Sequence, residues 1–593
     1  MLSPNSPKML YTAPIFCGAT PKTPAVLKES GVILTAFQNK NLANRGIQIE
    51  RLDHLGIVAG IIDDLKIVEM IDSRIAPHER EEITCGEAVK GMILNGLGFS
   101  NRPLSLTPQF FENKPLSLLF REGVKAEHFN RFKLGNSLDD LHGYGCDLLF
   151  SEIALAVSET EKVDTRFQSL DTTNFSLDGE YLPDVDTQAV HITYGHSKAH
   201  RPDLKQVTLE LLSSQDGGIP LCSKSWDGNA SDNVIFEERA RSLIDTFKQS
   251  PTPKYLIMDS KAYTESNAKT LSQLGFITRV PQTLNLANAL IDQSLGFHGD
   301  WRVLDENYKY QLVELGHYSM DQRWIVVFSQ HAYSQAEHTV NRAQEKRTES
   351  ILAQLFHLHA QRFETKKAAQ ETLEELAQQW PYHKIENITF TSHKKYKKRG
   401  KPSAHSPYTL QWQINASVIS DKEKLEQLKK HKACFILATN ISGDELTPQE
   451  VLNAYKQQAC VENGFRFLKD PLFFVSSLFL KKPARIEGLL MVMTLSLLVY
   501  SIAQRRLRQE LKRLQETLPN QIGTSTETPT LRWIFQIMDG IHCLNINLQG
   551  NQTRFIEGLN DIRVKIISLF GETVAKFYQM EGLNNQALPG VYG

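Results

Sequence analysis

Three acidic residues stand where carboxylates can bind a divalent cation. Asp171 closes the apolar run FQSLD and Asp259 closes YLIMD, so each follows a segment with the composition of a buried strand. A charge at the end of a buried strand needs a partner such as a metal ion. Glu462 lies in a third segment, 447–471, which has the pattern of a helix.

Carboxylates from two strands and a helix suit a hard cation. Mg²⁺ takes oxygen ligands at about 2.0–2.1 Å and keeps open positions for water and phosphate. Two such ions, roughly 3.5–4 Å apart, can activate a nucleophile and stabilise a leaving oxygen in phosphoryl transfer. The sequence has no histidine or cysteine cluster with the spacing of a zinc site. The alternative is that Asp171 and Asp259 each cap the turn after a strand, and for either residue alone this is the stronger interpretation.

The third segment, 447–471, has a defined start and end. Thr447 and Glu450 match a capping box, Pro448 falls at the first helical position and Pro471 marks the end. At about 100° per residue, a polar ridge lies beside an apolar stripe, so the helix can pack on a sheet. An ordinary surface helix is the alternative, but it does not explain why these residue types share one ridge. The ridge contains Tyr455, Gln458, Glu462, Arg466 and Lys469, and the stripe contains Ala454, Val461, Phe465 and Leu468.

The elements that must position these residues alternate between strand and helix. Apolar and β-branched runs predict strands, and apolar spacings of three and four predict helices. A hairpin followed by helical crossovers implies an α/β fold with a mixed sheet and helices on its faces. The predicted strands are 166–179, 187–198, two runs within 205–226, 254–260 and 276–281, and the predicted helices between them are 233–249 and 266–275.

The same patterns divide the chain into six regions. The core is split in two, because an inserted α+β domain separates its last strand from the helix with the third acid. This domain has a long charged helix over 334–379 and β runs at 384–391, 408–417 and 434–439. The regions are an irregular segment 1–45, a helical domain 46–160, core 161–282, inserted domain 283–445, core helix 446–483 and a helical region 484–593.

Composition excludes several classes of protein. The chain has 593 residues, of which 41% are hydrophobic and 22% charged, so a disordered, collagen-like or multi-span membrane protein is excluded. The most apolar stretch, 488–504, is interrupted by Thr494, Ser496 and Ser501, and we expect a buried core helix rather than a membrane span. Seven scattered cysteines without Cys-x-x-Cys spacing, and no signal-peptide core, favour a reducing, cytoplasmic setting.

The formal net charge of −1 hides two basic stretches. Residues 393–402 read HKKYKKRGKP, with six basic residues and no acid, and 481–513 contain eight basic residues and two acids. Such stretches can bind the DNA backbone without reading its sequence. A lysine-rich loop that is merely solvated is the alternative.

The motifs resemble a known family. DTTNFSLDG, YLIMDS and the pattern Tyr455-x2-Gln-x3-Glu462-x6-Lys469 resemble the DDE signature of insertion-sequence transposases of the IS-four type, whose helix motif reads Tyr-x2-Arg-x3-Glu-x6-Lys. GHSKAHRPDLKQ and DGNASDN are also similar to stretches of that family. LDHLGIVAGIIDDL and TLRWIF resemble a subgroup with an extra N-terminal helical domain, so the resemblance spans 47–540. Gln458 stands where the family has arginine, and Arg466 is a candidate substitute.

The resemblance implies an RNase H-like core and an enzyme that cuts DNA at the ends of its insertion sequence and joins the 3′ ends to target DNA. It implies Asp171, Asp259 and Glu462 as ligands of two Mg²⁺ ions, with Mn²⁺ as a substitute. Tyr455 and Lys469 would contact the phosphate next to the cut bond. We expect a homodimer on double-stranded DNA, at the nucleoid of a bacterial-type cytoplasm and without a membrane, in which 46–160 read bases and the inserted domain contacts the element's end. The other predicted DNA contacts are Arg466, Lys397, Lys398, Arg399, Lys198, Arg201 and Lys205, the last three being explained equally well by a solvated loop.

Three other functions stay open. A metal-dependent nuclease or resolvase on the same fold would hydrolyse DNA without joining strands. A transposase-derived DNA-binding protein with an inactive site is kept open by Gln458, although all three carboxylates are present. A structural interaction protein that uses the helix at 334–379 has no chemical feature in its support.

Overall fold

The computed structural model describes residues 47–580 except 100–102, 182–187, 199, 297–300, 398–402, 404, 472–479 and 549–550. The segment 1–45, predicted to be irregular, lies outside the described residues.

A nine-stranded mixed sheet forms the centre of the molecule, in the order β4-β3-β2-β5-β6-β12-β9-β8-β7. Strands β5 and β6 run parallel to β2, whereas the other pairings are antiparallel. The strands are β2 (Phe167–Leu177), β3 (Lys205–Ser214), β4 (Pro220–Trp226), β5 (Tyr255–Met258), β6 (Gly275–Arg279), β7 (Arg302–Val303), β8 (Tyr308–His317), β9 (Met320–Ser329) and β12 (Cys434–Thr439).

Side-chain alternation gives this sheet two apolar faces. One face carries Leu170, Met258 and Phe276 and packs against helix α8 (Asp232–Gln249). The opposite face carries Ile257 and Ile277 and packs against helix α14 (Pro448–Lys456). Helices α9 (Glu265–Leu271) and α10 (Asn285–Gly296) connect successive strands. The order along the chain is β2, β3 and β4, then α8, β5, α9 and β6, and later the helices of the third-acid segment. This is the order of an RNase H-like core, so the predicted α/β fold class is confirmed.

The N-terminal region is helical apart from one strand, β1 (Ile47–Arg51), which pairs with the C-terminal region. Its helices surround α16 (Pro483–Leu514) and share one hydrophobic core with it. The helices are α1 (Leu55–Asp64), α2 (Ile67–Arg74), α3 (Cys85–Leu97), α4 (Thr107–Phe111), α5 (Leu116–Leu119), α6 (Arg131–Tyr144) and α7 (Cys146–Thr160).

Helix α16 contains the stretch predicted to be a buried core helix. By length and composition it is the one helix in the described ranges that could cross a membrane, with a mean hydropathy of 1.9 over its most apolar window. However, 83% of that window is buried inside the protein, which confirms the prediction.

The region predicted as an inserted domain shares its strands with the core. The β run at 434–439 is strand β12, which pairs with β6 and β9 in the central sheet. The predicted single helix at 334–379 is two helices, α11 (Gln330–Ala360) and α12 (Lys366–Gln378). The single-helix prediction is wrong because Phe363 pairs through both backbone groups with Trp412, and Thr365 caps α12. These helices pack on a separate ribbon of β10 (His383–Tyr396) and β11 (Tyr408–Ser420), and α13 (Lys422–Ala433) follows.

The predicted strand at 187–198 does not form. Among the described residues 188–198, Thr193 forms a single backbone bridge with Gln206 and the His191 carbonyl accepts from the Gly228 N–H at 3.0 Å, while the Gln206 side chain donates to the Gly228 carbonyl at 2.6 Å. A Cβ at Gly195 would lie 2.1 Å from that same carbonyl oxygen. Side-chain amides and close packing of glycines therefore hold this segment, where the alternating sequence pattern had predicted regular backbone pairing with a neighbouring strand.

The C-terminal region, predicted to be helical, also contains β structure. Strands β15 (His542–Leu548) and β16 (Asn551–Glu557) form a hairpin beside β1. The remaining elements are β13 (Leu518–Pro519), β14 (Ser525–Thr526), α17 (Leu531–Ile537), α18 (Asp561–Ser568) and α19 (Glu572–Phe577), and the third-acid segment contains α15 (Ala459–Leu468) after α14.

Candidate active site

The two aspartates occupy equivalent positions on neighbouring parallel strands. Leu170 of β2 pairs in register with Met258 of β5, so Asp171 and Asp259 are the next residues along. Neighbouring strands lie roughly 4.7–4.9 Å apart, and side chains alternate between the two faces. Both carboxylates therefore point to the face of Ile257, which α14 covers. Asp171 does not end its strand, because β2 continues beside β3 after its pairing with β5 has stopped.

The carboxyl group of Asp171 is strongly affected by its surroundings. Its Oδ1 accepts a hydrogen bond from the Thr172 backbone N–H at 2.7 Å. Burial raises the pKa of Asp171 to about 6, although Lys198 and the Thr172 N–H lower it. The charge of Asp259 acts in the same direction as burial, so Asp259 is close enough to oppose the ionisation of Asp171.

A third carboxylate, which the sequence analysis missed, links the two strand ends. Asp232 begins α8, and its Oδ1 accepts from the Thr172 hydroxyl at 2.6 Å and lies 3.3 Å from the Lys198 ammonium. Its Oδ2 lies 3.1 Å from the ammonium of Lys261. Burial raises the pKa of Asp232, but the Thr172 hydroxyl and the two lysines together lower it. Asp232 thus contacts Thr172, one residue after Asp171, and Lys261, two residues after Asp259. The stretch DGNASDN, which contains Asp232, was the sequence feature that could have indicated this role.

Lys198 is part of this arrangement and not a solvated loop residue. Its ammonium donates to the Thr172 carbonyl at 2.7 Å and contacts the Thr172 hydroxyl at 2.5 Å. Its side chain is 25% exposed. A direct DNA contact by Lys198 stays a prediction.

The third-acid segment consists of two helices instead of one. Helix α14 begins at the predicted capping box of Thr447, but it ends at Lys456, and α15 starts at Ala459. The predicted single helix is interrupted at Gln457 and Gln458, which keep right-handed helical backbone angles, and there the Gln458 N–H donates to the Tyr455 carbonyl at 3.1 Å. The Ala454 carbonyl accepts from the Gln215 side chain at 2.6 Å, which fixes the end of α14 beside β3.

Helix α15 packs independently of α14. Gly464 approaches the side chains of Leu211 on β3 and Leu497 on α16. Leu211 pairs in register with Asp171, so α15 passes beside the first acid. Glu462 lies in the first turn of α15 and is exposed.

Tyr455 is near one strand acid and the helix acid. Its hydroxyl experiences the charges of both Asp259 and Glu462. Burial raises the pKa of Tyr455, while Arg279 lowers it. Within the part of the chain that the structure describes, no three His, Cys, Asp or Glu side chains form a ready-made metal site. The structure therefore pairs the two strand aspartates, and the convergence of Glu462 with them stays a prediction.

The donor set of the paired aspartates fits a divalent cation. Both are carboxylates on a rigid sheet, and oxygen ligands are those that Mg²⁺ prefers. The raised pKa of Asp171 means that burial outweighs the cations already present. An additional positive charge would stabilise its ionised form.

Lys469 follows α15 and is near the first acid, Asp171. Its ammonium lies 5.6 Å from the centre of the Phe175 ring. Although the residue as a whole is exposed, desolvation and the charge of Lys198 lower its pKa, and Asp171 raises it. Lys469 is therefore placed beside the first acid, and its contact with phosphate stays a prediction.

The remaining predicted DNA contacts also stay predictions. Arg466 and Lys397 are exposed. Arg201 forms a 2.6 Å ion pair with Asp203. Lys205 donates to the Tyr181 carbonyl at 3.4 Å. Lys398 and Arg399 lie outside the described residues.

The basic stretch 481–513 is less available than its composition indicated. Four of its arginines form ion pairs within the protein, so their charges are partly neutralised. These residues are Arg485, Arg505, Arg506 and Arg513.

Fold and site together define an RNase H-like protein with an acidic centre at the carboxyl ends of two parallel strands. A family model described as "Transposase DDE domain" matches residues 164–499, more than half of the chain, and the chain belongs to this family. A model described as a domain of unknown function (DUF4277) matches residues 47–155. The IS-four-type assignment within the transposases stays a prediction.

Several solved structures are similar to the chain, and one of them is a transposase. It is titled "Cryo-EM structure of piggyBac transposase synaptic complex with hairpin DNA", and its sequence is 9% identical. The similarity covers 89% of this chain and 82% of that chain, with a TM-score of 0.33. No curated protein matches the chain.

Proposed function

We propose that this member of the transposase family cuts DNA at the ends of its insertion sequence and joins the 3′ ends to target DNA. The observation that supports this most is the register that places Asp171 beside Asp259, in a chain of which residues 164–499 match the DDE domain. Carboxylates on adjacent strands of one sheet form a rigid anionic centre, which phosphoryl transfer needs for cation binding.

Asp171 and Asp259 would hold the divalent cations, Mg²⁺ or Mn²⁺, and Glu462 would complete the set. When bound, such ions activate the attacking oxygen and neutralise charge on the leaving oxygen. The register of β2 and β5 sets the separation of the aspartates, and Lys198 and Lys261 both pair with Asp232 beside the strand ends.

The groups beside the acids would position the DNA backbone. Lys469 would place a point charge at the phosphate next to the cut bond, and the Tyr455 hydroxyl would donate a hydrogen bond to it. Both roles follow from their closeness to the acids.

The wider DNA surface would include the end of ribbon β10–β11, where Lys394 lies 4.6 Å from the Tyr408 ring and Lys397 is exposed. Base recognition would fall to the helical domain 46–160. Two ends must be brought together, so we propose a homodimer on DNA, acting in a bacterial-type cytoplasm at the nucleoid.

The test uses the full chain and a duplex taken from the DNA that borders its coding region. With Mg²⁺, we expect cutting at the element's end and joining of that end to a supercoiled plasmid. Hydrolysis without joining would support the nuclease alternative. Binding without metal-dependent cutting would support the inactive DNA-binding alternative.

A further inference from the structure

Arg279 stands in the same row of the sheet as the two aspartates. Thr278 of β6 pairs in register with Met258 of β5, so Arg279 is the neighbour of Asp259. Because residues in register share a face, the guanidinium group and both carboxylates start from the same side of the sheet. A cation is therefore carried on a rigid element in line with the acids.

The side chain of Arg279 is held in place. It is partly buried, and its guanidinium carbon lies 5.4 Å from the centre of the Phe435 ring. On its other side, the guanidinium group is close enough to the Tyr455 phenol to lower the pKa of Tyr455. Stacking on an aromatic ring restrains a guanidinium group without neutralising its charge.

Arg279 differs from other enclosed arginines of this fold. Arg239 is paired with the buried carboxylate of Glu210. Arg323 donates to the carbonyls of Ile441 and Leu446 at 2.7 and 2.8 Å. Among the described residues, the side-chain partner of Arg279 is the Tyr455 hydroxyl, and no ion pair joins Arg279 to a carboxylate. A partly desolvated cation without a paired anion gains from an anionic ligand that comes from outside.

We propose that Arg279 binds the non-bridging oxygens of a DNA phosphate beside the bond to be cut. This inference rests on the proposed function, because it takes the acid row as the reaction centre. The planar guanidinium fork matches two phosphate oxygens at once. Its place in the row, next to Asp259, would hold the backbone against the acids while Phe435 keeps the fork oriented.

Three variants separate phosphate binding from bracing of Phe435 and Tyr455. Arg279→Lys keeps the charge, whereas Arg279→Gln keeps a hydrogen-bond donor and loses the charge. Arg241→Gln is the matched control, because Arg241 is exposed and its ion-pair partner among the described residues is Glu237, one turn earlier on α8. We expect Arg279→Gln to cut the bordering duplex roughly 10- to 100-fold more slowly, as for loss of a charge-assisted hydrogen bond. Arg279→Lys should recover part of that loss.

A neutral methylphosphonate placed singly along the duplex identifies the contacted phosphate. When the methylphosphonate replaces that phosphate, we expect the wild-type protein to cut as slowly as Arg279→Gln cuts the unmodified duplex. Arg279→Gln should cut the modified and the unmodified duplex at the same rate. If the rate reductions caused by the substitution and by the methylphosphonate are independent and multiply at every position of the duplex, Arg279 does not contact phosphate and the proposal is overturned. Equal rates for Arg279→Lys and Arg279→Gln at equal folded fraction would overturn it as well.

Binding of the same duplex is measured without metal, which keeps the proposal separate from the proposed activity. The slope of log K against log salt should fall by about 0.9 for Arg279→Gln and stay unchanged for Arg241→Gln. If the wild-type protein binds but never cuts, the proposed activity fails and this slope alone decides the role of Arg279. An unchanged slope for Arg279→Gln would then overturn the proposal.

Discussion

Replacing Asp171 by asparagine should stabilise the metal-free protein at neutral pH. Asparagine keeps the oxygen that accepts from the Thr172 N–H but cannot ionise. In the folded protein burial raises the pKa of Asp171 from 3.8 to about 6, so ionising it opposes folding. The variant removes that penalty.

The sign and size follow from the two pKa values. Below the unfolded pKa the carboxyl is protonated in both states, and no penalty exists. As pH rises through the folded value near 6, the folded state loses stability, and above it the penalty is constant. A shift of about two units at about 1.36 kcal/mol each gives an upper limit of roughly 3 kcal/mol. At pH 5 roughly half of that remains.

Urea unfolding in EDTA measures this at pH 7.5 and pH 5, with Asp245→Asn as the control because Asp245 is exposed. We expect Asp171→Asn to gain about 1–3 kcal/mol at pH 7.5 and about half as much at pH 5, and the control to change by less than about 0.5 kcal/mol. Added Mg²⁺ should stabilise the wild type and leave the variant unchanged, because only a cation that binds the folded state shifts unfolding. A loss of stability at pH 7.5, or a gain independent of pH, would refute the reasoning.

Three further predictions concern single side chains. Asp259→Asn should still bind the element's end in a gel shift but not cut it in Mg²⁺, and normal cutting would remove Asp259 from the site. Lys469→Ala should weaken the complex with DNA without changing the melting temperature, because the contacts of its ammonium among the described residues are the Phe175 ring at 5.6 Å and the charges of Lys198 and Asp171. If the variant melts at a lower temperature, Lys469 is structural. Glu487→Gln should stabilise the protein by up to about 3 kcal/mol at pH 8 and by little at pH 4.5, because burial raises the pKa of Glu487 to about 7. Thermal unfolding across pH tests this, and an equal effect at both pH values would contradict it.

The sequence was informative where one local pattern determined one element. The apolar runs before Asp171 and Asp259 predicted buried strands, and their common register places the two acids side by side. The capping box at Thr447 predicted the start of α14 correctly. The break after Lys456 was not predictable, since no proline or glycine marks it and it depends on contacts with distant strands.

Residues that reach the site through register or packing escaped the sequence analysis. Arg279 joins the acid row because β6 pairs with β5, and nothing in FITRVP distinguishes it from a surface arginine. Asp232 reaches Thr172 from the first turn of α8, 60 positions along the chain. The sequence analysis assigned strand β12 to the inserted domain, because the alternation of apolar and polar residues predicts a strand but does not show which sheet the strand joins.

The position of the third acid is determined by a different core from that of the first two. Asp259 is carried by a sheet whose face packs on α14, whereas Glu462 is carried by α15, which packs on Leu211 and Leu497. Because α14 and α15 are separate helices, the distance between Glu462 and the strand acids depends on how firmly α15 lies against β3 and α16. Enlarging Gly464, whose missing Cβ would lie 3.2 Å from Leu497 and 3.4 Å from Leu211, should therefore displace Glu462 more than the aspartates, whose positions the register of β2 and β5 sets. The charge network of Asp171, Asp232 and Lys198 would stay intact, and cation binding by the strand acids alone could be compared with that of the complete set.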